Sequence, residues 1–119
     1  MAMMDWNEYR RQLATAITAI ARTSPDVVKG YRQLSAARTA ASTLDPKTSE
    51  LIALAVAVTV RCDGCITTHV EAARRNGATV AGITDALSVA ITVNAGAALV
   101  YSARTIDAFH ASEEAATKT

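Results

Sequence analysis

An excess of charge of either sign is the first thing this chain lacks. Twelve basic and eleven acidic side chains leave a net +1, and no block of like charge marks a nucleic-acid or membrane surface. No nucleic-acid partner is expected. Aromatic residues are scarce as well, at 4% of the chain, while half of the residues are hydrophobic and alanine is very frequent. That composition suits helices packed closely through small side chains, so the expected class is all-α. Long apolar runs are missing too. The stretch from Leu51 to Val60, interrupted by one threonine, is about half of the ~20 residues that a membrane span requires. It reads as a buried core helix, and no membrane partner is expected. The opening MAMMDWNEYRRQ has no basic region leading into an apolar one, so no secretory signal is expected. Cysteine occurs only twice, spaced as CxxC, which fits a cytosolic redox or metal pair better than an extracellular disulfide framework. The expected location is the cytoplasm.

What is present is a succession of helix signals in a chain of 119 residues, a length suited to one domain over 1–119. N-terminal helices should occupy 1–43, a core unit 44–111 and a frayed polar tail 112–119. Asp5 to about Arg22 places Leu13, Ile17 and Ile20 on one side of a first amphipathic helix, with Trp6 as its anchor. Ser24 followed by Pro25 opens a second, running to about Thr43. Asp45 and Pro46 are a cap and a first-turn proline for a third helix to about Val60, apolar on every side and therefore central. A fourth starts near Cys62 or Asp63 and stops at Asn76 and Gly77, with Arg74 and Arg75 where cations suit the dipole. A fifth spans about Val80 to Val93, and a break at Asn94 and Gly96 leads into a sixth, Ala97 to about Ala111. The expectation is therefore about six helices.

The chemistry concentrates in ELIALAVAVTVRCDGCITTH, which holds Glu50, Cys62, Cys65 and His69. At about 100° per residue the two thiols and the imidazole share an arc of roughly 60° on the fourth helix. Cysteine attacks as thiolate, and both a nearby imidazole and the positive end of a helix favour that form. Asp63 opposes it but should point away from the stripe. If the third and fourth helices form a hairpin turning near Arg61, Glu50 is about 16 Å up one arm and His69 about 10 Å up the other. They would then meet through a water, since a glutamate heading an apolar run is costly to bury without a partner. The plainer alternative leaves Glu50 in the exposed first turn, where acids are favoured.

Glu50, Cys62, Cys65 and His69, with eleven, two and three residues between them, resemble position for position the signature of the alkylhydroperoxidase D-like proteins in the carboxymuconolactone decarboxylase superfamily. The run NGATVAGITDALSVAITVNAGAALVYSA is similar to the corresponding segment of short members, so the resemblance covers about Leu44 to Ala108. It implies an all-α fold whose central helical hairpin carries the CxxC. It also implies a thiol-dependent peroxidase or disulfide oxidoreductase acting on hydroperoxides. Cys65 would be the peroxidatic cysteine, passing through a sulfenic acid. Cys62 would be the proton donor and resolving thiol, closing a Cys62 to Cys65 disulfide. His69 and Glu50 would form the proton relay. No bound cofactor or metal is implied, only an external dithiol reductant such as a lipoyl-bearing protein. A homo-oligomer, trimer or hexamer, is implied as well. Longer members of the family it resembles can carry a histidine inside the CxxC, where this chain has Gly64, and contain two similar halves where this chain has one unit.

Other readings compete. Two thiolates, an imidazole and Glu50 could hold zinc, although the spacing does not match the usual structural knuckles. A decarboxylase acting on a muconolactone would want basic side chains near the motif, and Arg61 is almost alone there. A non-enzymatic helical oligomer could sense oxidants or bind a partner through the disulfide switch. Among other residues, His110 reads as a surface or packing histidine. Tyr101 reads as core packing with its hydroxyl satisfied.

Overall fold

The computed structural model describes residues 2–40 and 42–118. Among them every regular element is a helix: α1 (Trp6–Thr23), α2 (Pro25–Ala40), α3 (Pro46–Val60), α4 (Asp63–Arg75) and α5 (Val80–Thr117). The all-α class is as expected.

The boundaries follow from local chemistry. Asp5 accepts the N–H of Glu8 at 3.0 Å and starts α1. Ser24 ends it by donating its N–H to the Ile20 carbonyl, and Pro25 opens α2. Asp45 caps α3 by accepting the Thr48 N–H at 2.7 Å, a bond that holds its carboxyl below the ordinary carboxylate value. Arg61 closes α3 in the left-handed region, at φ 59°, and turns the chain into α4. Gly77, at φ 88°, ends α4, where the Ala78 N–H reaches the Ala73 carbonyl at 2.9 Å. Thr79 then accepts the Gly82 N–H and caps α5.

The expected break at Asn94 and Gly96 does not occur. The fifth and sixth helices are one rod of 38 residues, and it continues to Thr117 through residues expected to fray. Asn94 is not a terminator because its side-chain amide donates to the Ala90 carbonyl at 2.8 Å and across to Thr59 Oγ1 of α3 at 2.9 Å. Gly96 inside a helix costs about 1 kcal/mol against alanine, too little to end a helix that Asn94 ties to α3 just before it. Joined in this way, α5 is long and apolar enough, by length and composition alone, to cross a membrane.

Helix α3 is central, as its all-apolar run requires: α4 packs on one side and α5 on another, and Leu54 and Ala57 are each only 2% exposed. Helix α1 rests on α2 and α4. No Cα of α2 comes within 8 Å of a Cα in α3 among the described residues, so a groove separates the two. The chain is open as a result. Its radius of gyration is 20.5 Å, against about 13–14 Å for a compact domain of this length. Tyr101 is exposed and lies under the Arg104 guanidinium, not in the core, because the distal half of α5 has passed beyond α3. His110 is also exposed, with its ring against Phe109.

Candidate redox site

The α3–α4 hairpin builds the site. Cys62 is the N-cap of α4 and Cys65 lies in its first turn, and the two are joined as a disulfide with their Cα atoms 5.2 Å apart. The Cys65 N–H donates to Cys62 Sγ at 3.1 Å, so Cys62 occupies the position that serine or aspartate takes in an ordinary cap. That N–H and the positive end of the helix favour negative charge on the Cys62 sulfur.

One turn on, His69 Nδ1 is 2.6 Å from Glu50 Oε2. The contact is direct, where a bridging water was expected. The turn at Arg61 brings the arms of the hairpin close enough for the two side chains to touch. Glu50 is not in the exposed first-turn position: its side chain is 14% exposed, with Arg38 of α2 3.9 Å from its other oxygen. With Glu50 ionised, the His69 Nδ1–H donates to it and Nε2 is left as a proton acceptor. Arg38 escaped the sequence reading. It is twelve residues from Glu50 on a separate helix, and only the fold of the N-terminal arm returns it to the site.

Cys65 and His69 line one end of the groove between α2 and α3, a space of about 580 Å³, while Cys62 does not line it. Tyr31 and Leu34 of α2 face Ile52 and Val56 of α3 across this space, with Arg38 among them. On the other side of the CxxC, α1 is laid over the turn. A Cβ built on Gly64 would stand 2.7 Å from Leu13 Cδ2. The space beside Gly64 is filled by α1. Arg10 of α1 makes an ion pair with Glu71 of α4 that keeps α1 in position and holds the Glu71 carboxyl below its ordinary value. Arg61 caps α3 and contributes no cation to the groove lining.

An all-helical hairpin bearing a CxxC pair at a helix start, backed by a His–Glu couple, defines the alkylhydroperoxidase D-like class of helical protein. The chain belongs to the carboxymuconolactone decarboxylase family, whose family model matches residues 25–108. An uncharacterized protein of Haemophilus influenzae is 43% identical over 105 residues, covering 88% of this chain and 93% of the relative. Uncharacterized protein 4 in the cox locus of Paracoccus denitrificans is 37% identical over 89 residues, 75% of this chain and 80% of its own length. The crystal structure of an apo carboxymuconolactone decarboxylase family protein from Legionella pneumophila superposes with a TM-score of 0.70 at 30% identity, covering 88% of this chain and 94% of that one.

Proposed function

We propose that the protein is a thiol-dependent peroxidase that reduces hydroperoxides through a Cys62–Cys65 dithiol–disulfide cycle. The observation that carries this reading is that Cys65 and His69 face the groove together, while Cys62 is turned into the cap of α4. His69 Nε2, oriented by Glu50, takes the Cys65 proton. The thiolate attacks the terminal peroxide oxygen, the O–O bond breaks, and the alcohol leaves with the proton as Cys65 becomes a sulfenic acid. The Cys62 thiol then displaces water from it and closes the disulfide. An external dithiol restores the pair: its thiolate attacks Cys65, the sulfur facing the groove, and expels Cys62 as a thiolate stabilised by the Cys65 N–H. The two electrons pass from dithiol to peroxide, and the protein returns to its reduced form. A small dithiol or a lipoyl-bearing protein fits this step, and a homo-oligomer fits the open shape of the chain.

Intact-mass spectrometry of reduced protein mixed with one equivalent of an organic hydroperoxide tests the cycle. Wild type should lose about two mass units within seconds to minutes. Cys62→Ser should gain about sixteen as the trapped sulfenic acid, and Cys65→Ser should not change. Wild-type thiols that stay reduced, or a Cys65→Ser variant that still consumes peroxide, would overturn the assignment.

A further inference from the structure

Arg38 is the one charged group beside the thiols that the peroxidase cycle leaves without a task. Its side chain is 47% exposed, and its guanidinium comes within 3.9 Å of Glu50 Oε1, an ionic contact longer than a hydrogen bond. Glu50 already accepts from His69 through its other oxygen and, at 14% exposure, is withdrawn from the groove. A guanidinium carries five N–H donors in a planar fork that matches a carboxylate. One contact at that distance leaves the fork able to take a second carboxylate.

The groove changes polarity along its length. Ser35, one turn before Arg38 on α2, and Ser49, next to Glu50 on α3, line the end where Arg38 lies. Beyond them the walls are apolar, from Leu34 and Ile52 to Val60. Ser49 to Val60 is about 16 Å of helix at 1.5 Å per residue. Among the described residues lining the groove there is no aspartate or glutamate. His69 meets Glu50 at the polar end, and Cys65 lies one turn, about 6 Å, nearer to Val60. The reacting sulfur therefore stands between a cationic, hydroxyl-bearing end and an apolar remainder, in a space of about 580 Å³. An apolar pocket with a few convergent polar groups at one end takes a ligand of the same polarity pattern. Covering Arg38 with an apolar ligand would desolvate its charge at a cost that only an anion on that ligand offsets.

We infer that Arg38, flanked by Ser35 and Ser49, binds the carboxylate of an amphiphilic hydroperoxide whose apolar chain lies along the groove toward Val60. The peroxide, carried on an internal carbon, then comes to Cys65 and His69. This inference rests on the peroxidase reading and adds a substrate class to it: long-chain acids bearing a hydroperoxide, in preference to their neutral esters. A dithiol that ends in a carboxylate shares the anchoring chemistry, and the experiment separates the two sources.

Oxidation of the reduced protein is followed by stopped flow with oleate hydroperoxide and with its methyl ester, both below micelle-forming concentration. In wild type the acid should react about 10-fold faster than the ester, the effect of a charge-assisted hydrogen bond at a half-exposed site. The ratio should fall to near unity in Arg38→Gln and be partly kept in Arg38→Lys. Because it is taken within each protein, any slowing that reaches the thiol through Glu50 cancels. A wild-type ratio near unity, or one that Arg38→Gln leaves unchanged, would overturn the inference. Reduction of the disulfide by dihydrolipoate and by dihydrolipoamide is the second arm: a preference for the acid that appears only there would overturn it in favour of the reductant. Calorimetric titration of decanoate into the reduced protein reads no redox chemistry. Binding that Arg38→Gln weakens about 10-fold, in a protein inert to every hydroperoxide, would sink the peroxidase reading and leave the carboxylate site standing. Failure to bind decanoate, in a protein that does reduce hydroperoxides, would sink the carboxylate site alone.

Discussion

Leu13 and Gly64 are in a relation of exclusion: the δ-methyl of the one fills the space that a side chain on the other would need, at 2.7 Å from a built Cβ. The blocking atom is the end of a leucine side chain, which can turn aside at a cost of about 1 kcal/mol. Gly64→Ala is therefore expected to fold with little loss. Gly64→His, which restores the residue of longer relatives, should displace α1 and lower the unfolding midpoint. Leu13→Ala in the same chain should recover most of that loss. Urea denaturation of the three variants, followed by circular dichroism, checks the set.

Glu50 and His69 should behave as one unit. Replacing Glu50 with glutamine removes the carboxylate that fixes the Nδ1–H tautomer, and replacing His69 with alanine removes the acceptor itself. Each should slow oxidation of Cys65 by hydroperoxide about 100-fold in stopped-flow measurements. The double variant should be no more than a few-fold slower than either single one, since residues that act together are non-additive. A double variant slower by the product of the two effects would separate them.

Acid should weaken the tie between α1 and α4. Arg10 holds the Glu71 carboxyl below its ordinary value in the folded chain. The pair's contribution is therefore fully present above the unfolded value of about 4.3. It is lost as pH falls through the lowered folded one. Trp6, at the start of α1 and edge-on to Tyr9, reports the change. Its fluorescence should shift below about pH 4 in wild type, and Glu71→Gln should show part of that shift already at neutral pH, the remainder belonging to Glu8, whose carboxyl Arg11 also holds below its ordinary value.

The turn after α4 depends on backbone freedom. Gly77 sits at φ 88° with no atom near the place of a Cβ, so alanine there meets no clash and carries only the conformational penalty. That penalty is about 1 kcal/mol, readable in urea denaturation at fixed protein concentration. Asn76→Ala should matter less, since its side chain only repeats a bond to the Ala72 carbonyl.

Local signals located most of the fold. Asp45 with Pro46, Cys62 at a helix start, and Gly77 are each caps or stops whose effect is decided within four residues, and each acts as its chemistry requires. Asn94 shows where that reasoning fails. Its terminator signal is real in isolation, but a partner 35 residues away, Thr59, takes up its amide. Separation in sequence likewise concealed Arg38 beside Glu50 and Leu13 over Gly64. The two residues that face each other across the hairpin, Glu50 and His69, were legible as a pair because the turn between them was. Their direct contact, without an intervening water, follows from how tightly α3 and α4 pack, which no periodicity encodes.

The cap formed by Cys62 has a consequence for speed. Its sulfur is bonded to Cys65 and accepts the Cys65 N–H at 3.1 Å, and the N-cap position places the two Cα atoms 5.2 Å apart on the backbone of α4. A thiol so tethered meets a sulfenic acid on its neighbour at an effective concentration that free thiols in solution cannot match, because the search for each other has been completed by folding. In the proposed cycle, ring closure should be limited by chemistry at sulfur, and over-oxidation of Cys65 would have to outrun a thiol only three residues away.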